Sequence, residues 1–233
     1  MVKDLSALEK KLGAAFNNKD FLRQSVVHRS YINENPKFSL GHNERLEFLG
    51  DAVLELVVTE YLFVKYPNSP EGEMTNFRAS LVNANKLSEI ASEIGLEPFL
   101  YLSKGESKDK HSKARQYILA NALEAVIGAI YLDQGKIAVE QFIKERILTK
   151  IDYIIQHKLY LDPKSRFQEM AQEKAGVTPN YKVHKEEGPD HAKIFSIGVY
   201  LGNELVVEGK GSSKQEAQIE AAEKALKVKG WEE

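Results

Sequence analysis

Four acidic side chains, Glu44, Glu47, Asp51 and Glu55, follow one another at steps of three, four and four residues. At about 100° of turn per helical residue they share an arc of roughly 80°. Like charges so placed repel by some tenths of a kcal/mol per pair even when exposed, and no Lys or Arg falls in the same stripe. Two readings are open. A solvated helix face is the common fate of a charge run. The other is a site that gathers carboxylates to hold a divalent cation, since Mg²⁺ takes oxygen ligands, usually one or two carboxylates with waters and phosphate oxygens. Gly50 lies beside the stripe, inside the helical pattern. It costs ~1 kcal/mol there relative to Ala, which makes sense if something must approach closely.

A second segment, residues 118–132 (ILANALEAVIGAIYL), bears on the choice. Nearly every residue is apolar or small, and only Asn121 and Glu124, at i and i+3, present strong polar groups before Tyr131. A helix apolar all round is buried, so Glu124 is expected to be buried or half-buried. An unpaired carboxylate in that setting costs several kcal/mol or gives up its charge. A facing acidic stripe offers no relief, whereas a divalent cation does. Pairing with a distant base such as Arg78 or Arg115 is the alternative.

The elements that must position these groups follow from apolar periodicity. The first 157 residues read as mostly helical, with helical spacing over residues 5–12, 20–28, 44–65, 74–93 and 115–132 and an amphipathic stretch over 138–157. Breakers separate them at Asn35-Pro36, at 67–72 and in the polar connection 103–112. Beyond His157 the texture changes. Leu161-Asp162-Pro163 opens a helix over 165–175, and β-like runs cover 180–185, 193–201 and 204–209. In the second run Phe195, Ile197, Val199 and Leu201 make one uniformly apolar face. Leu201-Gly202-Asn203-Glu204 reads as a hairpin turn. A helix over 213–229 starts on the capping-box pattern Ser213-Lys214-Gln215-Glu216. The expected architecture is a mainly α domain (1–157), a linker (158–162) and a small α+β domain of order α-β-β-β-α (163–233).

Composition sets the outer limits. At 42% apolar and 28% charged, the chain resembles an ordinary soluble globular protein, and the absence of cysteine excludes thiol chemistry, disulfides and a sulfur-ligated zinc site. The amino terminus lacks the apolar core of a secretory signal, and residues 118–132 are too short to span a bilayer. A cytoplasmic protein without membrane contact is expected. The net charge of −2 does not advertise a nucleic-acid binder. Nor do the parts: from Pro163 onward there are 11 Lys and Arg against 12 Asp and Glu, and before it 21 against 22. Any case for RNA must rest on local placement.

Local motifs make that case. His42-Asn43-Glu44-Arg45-Leu46-Glu47-Phe48-Leu49-Gly50-Asp51 resembles the ten-residue signature of the ribonuclease III family. Val27-His28-Arg29-Ser30-Tyr31 is similar to the segment upstream of that signature, residues 118–133 to the family's second acidic helix, and the tail from Pro163 to a double-stranded-RNA-binding domain. The resemblance implies a helical endonuclease domain with an appended RNA-binding domain. It also implies a homodimer that cuts duplex RNA with Mg²⁺ (Mn²⁺ substituting) and without an organic cofactor. It assigns metal binding to Glu47, Asp51, Asn121 and Glu124, with Asp51 and Glu124 catalytic. The family has Asp where this chain has Asn121, and an amide oxygen can coordinate a cation but is neutral and cannot act as a base. Glu44 and Glu71 fall on acidic positions that face RNA, and Glu55 on no position with a role. Phe48 matches an aromatic that inserts into the partner subunit, although spacing alone would make it a core residue. In the tail, the resemblance implies minor-groove contacts by Gln168, Gln172 and His191. It implies phosphate contacts by Lys210, Ser213 and Lys214, with Gln215 standing where a second basic residue is common.

Overall fold

Two long helices form the spine of the first of two units, which comprise Met1–Tyr160 and Leu161–Glu233. The structure is a computed structural model and describes residues 3–109, 112–189 and 193–231. In the first unit the helices are α1 (Leu5–Leu12), α2 (Lys19–Ser25), α3 (Arg29–Glu34), α4 (Glu44–Lys65), α5 (Glu71–Val82), α6 (Ala84–Ile94), α7 (Lys113–Arg146) and α8 (Ile151–Gln156). One side of α4, with Leu46, Val53, Leu54, Val57, Val58 and Leu62, is buried against α7 and its neighbours. From Ile118 to Ile130 every residue of α7 is buried except Asn121 and Glu124, which are half-buried. The all-apolar segment is therefore the central core helix, and its two polar residues lie together on the part of its surface that is not fully covered. Among the described residues no helix is long and apolar enough to cross a membrane.

Three local readings of the sequence are corrected. The pattern over 74–93 is two helices, because Asn83 takes ψ 155° and ends α5. Its side-chain Nδ2 donates to the carbonyls of Ala79 and Ser80, while its Oδ1 accepts from the Lys86 amide to start α6. One asparagine thus caps both helices, a local alternative to the continuous ladder. The break expected after residue 132 falls at Gly135, whose φ of 80° and ψ of −174° are not helical, a conformation open to glycine, so α7 is two helical stretches meeting at a kink. The remainder of the expected 138–157 helix then breaks into a 3₁₀ turn, Leu148–Lys150, and the short α8. Finally, the expected 20–28 helix stops at Ser25, and His28 instead caps α3, its Nδ1 accepting from the Ser30 amide at 3.3 Å.

The second unit contains α9 (Pro163–Ala175), β1 (Pro179–Glu187), β2 (Ile194–Leu201), β3 (Glu204–Gly211) and α10 (Lys214–Lys229). Asp162 caps α9 by accepting from the Ser165 amide at 3.0 Å, with Pro163 in the first turn, where its missing N–H costs nothing. The strands form an antiparallel sheet in sequential order. Helices and sheet enclose Phe167, Val199, Ala221, Ala222, Ala225 and Leu226. Small alanines on α10 let it lie close to the sheet. Ser213 caps α10 by accepting from the Glu216 amide at 3.2 Å. The return bond of the expected capping box goes one residue earlier, from the Ser212 amide to the Glu216 carboxylate at 3.0 Å.

Candidate active site and RNA-binding surface

The acidic groups of α4 and α7 meet where two glycines let the helices touch. A β-carbon on Gly50 would stand 1.8 Å from the carbonyl oxygen of Glu124, and one on Gly128 would stand 2.3 Å from that of Leu46. No side chain fits between the backbones there. The close approach expected at Gly50 is therefore made by the helix that carries Glu124, at Glu124 itself. Asn121 and Glu124 on one helix are thereby set against Glu47 and Asp51 on the other.

The electrostatics follow from that placement. Burial, then the negative charges of Asp51 and Glu47, push the Glu124 carboxyl up to about 8. Glu47 is also held above the usual carboxylate range, by burial first and then by Glu44 and Asp51, while a hydrogen bond from Asn121 pulls the other way. A bond that favours the charged carboxylate is one in which the Asn121 amide N–H donates and the carboxylate accepts. Asp51 is exposed at the mouth of the cluster. Among the described residues no three His, Asp or Glu side chains are placed so that they could hold a metal ion as they stand. Instead, the carboxylates crowd and repel one another, with the deepest favoured in its protonated form. Oxygen-only donors, a neutral amide among them, suit a hard divalent cation.

Neither alternative base is paired with Glu124. Arg78 binds Glu55 at 2.9 Å and donates to Thr59 at 2.9 Å. Arg115 is buried and donates to the carbonyls of Asp109 at 3.0 Å and Glu106 at 2.7 Å. The solvated-face reading of the stripe does hold at its ends. Glu55 is neutralised by Arg78, and Glu44 lies 3.5 Å from Arg29 and 3.7 Å from His42. The middle pair, Glu47 and Asp51, is where charge accumulates. Glu71 is exposed in the first turn of α5, accepts from the Thr75 hydroxyl at 3.3 Å, and is not drawn into the cluster. Phe48 is no core residue: it is 82% exposed on α4. It borders a cavity of about 670 Å³ shared with Phe21, Leu46, Leu49 and Leu132.

In the second unit Gln168 and Gln172 are exposed one turn apart on α9, to one side of the buried Phe167 and Ala171. Gln172 Nε2 donates to Thr178 at 3.3 Å. Lys210 and Lys214 are exposed on either side of the Ser213 cap, at the amino-terminal end of α10. His191 lies outside the described residues. Glu186 and Glu220 were not anticipated. The Lys214 ammonium is 3.0 Å from the Glu186 carboxylate, and the Lys210 amide donates to Glu220. Periodicity gives no signal for either acid, because both contacts depend on strand register and helix docking.

An all-helical unit built on two acidic helices, joined to an α-β-β-β-α unit, defines a nuclease-type domain coupled to an RNA-binding module. Residues 18–151 match the ribonuclease-III-like family and residues 163–229 the double-stranded RNA binding motif. "Ribonuclease 3" of Carboxydothermus hydrogenoformans is 45% identical over 225 residues, covering 97% of this chain and 95% of the relative. That of Enterococcus faecalis is 42% identical, covering 94% and 95%. The solved nuclease domain of ribonuclease III from Campylobacter jejuni superposes with a TM-score of 0.56 at 37% identity, covering 64% of this chain and 99% of that one. The chain belongs to the ribonuclease III family of double-stranded-RNA endonucleases.

The raised Glu124 carboxyl has a consequence for stability without metal. In the unfolded chain it titrates near 4.5, and in the folded one near 8. Between these values the folded state holds a proton that the unfolded state has lost, so this group's contribution is complete below the lower value. It falls away as pH rises through the upper one. In chelator, the melting temperature of the unmodified protein should therefore drop across this window relative to that of Glu124→Gln. Parallel melting curves from the two proteins across that range would contradict the placement.

Proposed function

We propose that this chain hydrolyses phosphodiester bonds in duplex RNA using Mg²⁺ held by Glu47, Asp51 and Glu124, with the Asn121 carboxamide assisting. The reading is carried by three carboxylates and one carboxamide gathered at a crossing that two glycines hold close. When bound, the ion lowers the pKa of a water and offsets charge on the phosphate and the leaving 3′ oxygen. The protein's own residues prepare the place. Asp51 and Glu124, the catalytic pair, present one exposed and one half-buried carboxylate. Asn121 holds Glu47 with its N–H and keeps its oxygen free for coordination. Mn²⁺, which accepts the same oxygen donors, substitutes, and no organic cofactor is needed. Glu44 and Glu71 are the flanking acidic groups that face the RNA.

Duplex recognition is assigned to the second unit, with Gln168, Gln172 and His191 reading minor grooves and Lys210, Ser213 and Lys214 contacting phosphates between them. The natural substrates we propose are ribosomal-RNA precursors and structured messages in the cytoplasm. Two copies act together, each cutting one strand to leave 5′ phosphates and short 3′ overhangs. The Campylobacter relative is described as having a region involved in dimer formation, and the exposed Phe48 beside an apolar cavity supports such pairing here. Phe48→Glu should shift wild-type dimers to monomers in sedimentation velocity while circular dichroism stays native. A dimer that withstands the change would remove Phe48 from the interface.

The test of the proposal itself is cleavage of a plain RNA duplex titrated with Mg²⁺. No cleavage at any metal concentration would refute it. Asn121→Asp sharpens the assay. An added charge should lower the Mg²⁺ concentration for half-maximal cleavage, with less effect at saturating metal. The same charge should lower the melting temperature in chelator through added repulsion. An unchanged metal requirement would place Asn121 outside the metal's reach.

A further inference from the structure

Resting on the reading of Lys214 as a phosphate contact, we infer that Glu186 is an internal phosphate mimic: it occupies Lys214 in the free protein and must be displaced before duplex RNA binds. The register of the sheet creates this arrangement. β1 and β2 pair Tyr181 with Val199 and Val183 with Ile197, after which the ladder slips. Without the slip, Lys185 would stand opposite Phe195. The β-bulge between Val183 and Lys185 puts Glu186 there instead, since one inserted residue exchanges which side chain meets each face. Directly opposed residues share a face of the sheet. On that face the Lys214 ammonium, from the first turn of α10, sits 3.0 Å from the Glu186 carboxylate and 5.6 Å from the centre of the Phe195 ring. The bulge has put a negative charge where an unbroken strand would put a positive one, against a lysine.

This accounts for a puzzle of composition. A duplex-RNA module with 11 basic and 12 acidic residues has little net charge to attract a polyanion. Several of its acids serve as internal counter-ions to its lysines: Glu186 to Lys214, Glu220 to Lys224 and Glu204 to Lys229. Of these pairs, Lys214 is the one assigned to RNA. Duplex binding at that point becomes an exchange of carboxylate for phosphate rather than of salt ions for phosphate. Fewer counterions are then released, and the salt dependence is shallower than the number of contacts implies. The sheet holds Glu186 ready to retake Lys214, which favours release of the cut product.

The test is fluorescence anisotropy of the full chain with a labelled RNA duplex longer than the ~16 base pairs one such module spans. Without divalent metal and across a potassium chloride series, wild type, Glu186→Gln, Lys214→Ala and the double variant are compared. Glu186→Gln should bind about two- to fivefold more tightly, the range expected from freeing a partly exposed ion pair. Its salt slope should steepen by up to about 0.9, the release expected for one phosphate contact on a regular duplex. Both gains should vanish in the Lys214→Ala background. Unchanged binding by Glu186→Gln, or a gain that persists without Lys214, overturns the inference, the latter because it would report only repulsion between Glu186 and RNA. Lys214→Ala reports separately on the underlying reading. If that variant binds like wild type at every salt concentration, Lys214 is no phosphate contact and the inference falls with it.

Discussion

Glu124→Gln and Asp51→Asn should each cut duplex-RNA cleavage by at least about a hundredfold, while binding of the uncut duplex should stay within about twofold of wild type. A metal's stabilisation of developing charge amounts to several kcal/mol, and each ~1.4 kcal/mol is a factor of ten in rate. Removing one of the three proposed charged ligands should therefore have a large effect on chemistry. Binding survives because the proposed groove and phosphate contacts are in the second unit. The same substitution at Glu124 should act oppositely on stability. It removes a carboxyl that burial, Asp51 and Glu47 push up to about 8, so in chelator at neutral or higher pH Glu124→Gln should melt above wild type. Loss of cleavage with a gain in metal-free stability is the signature of a group placed for function at a cost to the fold. Single-turnover cleavage, anisotropy and thermal melts measure the three quantities. A Glu124→Gln enzyme that cuts at the wild-type rate would end the assignment.

Gly50→Ala should lower stability by about 3 kcal/mol or more, although in an exposed helix interior the same change would stabilise by up to ~1 kcal/mol. The reversal has a geometric cause. The added methyl would stand 1.8 Å from the Glu124 carbonyl oxygen, 2.6 Å from its carbon and 2.9 Å from the Gly128 nitrogen. All three atoms belong to helix backbone that cannot swing aside, so α4 and α7 must separate. For a unit of this size the melting temperature should fall by roughly 10 °C. Cleavage should fall even at temperatures where the variant is folded, because Asp51 moves away from Glu124. Gly135→Ala supplies the contrast. Its φ of 80° strains any other residue, but nothing lies within 4 Å of the added carbon. That variant should lose about 1–3 kcal/mol to backbone strain alone and keep its activity. Melting and cleavage measured on both variants separate close helix contact from backbone strain, and a Gly50→Ala protein as stable and active as wild type would contradict the crossing.

By itself the sequence determined the elements that carry the chemistry. The bounds of α4 were legible from its period. The unbroken apolarity of residues 118–130 declared a buried helix with Asn121 and Glu124 as its polar exceptions. The order α-β-β-β-α followed from alternation, from the turn signals at Leu161-Asp162-Pro163 and Gly202-Asn203, and from the capping pattern at Ser213. These features are local, set by helical and strand geometry and by the need to bury apolar surface, so neighbouring residues suffice to read them. Tertiary structure decided which charges stay unneutralised. Arg29 and Arg78 reach the two ends of the acidic stripe from other helices, leaving Glu47 and Asp51 to meet Glu124. Asn83 divided one helical pattern, because a single side-chain cap outweighs weak periodicity. The bulge in β1 gave Lys214 an acidic neighbour in place of a basic one. Charge pairing depends on where distant elements dock and on register to a single residue, and neither is encoded in the spacing of residues along one element.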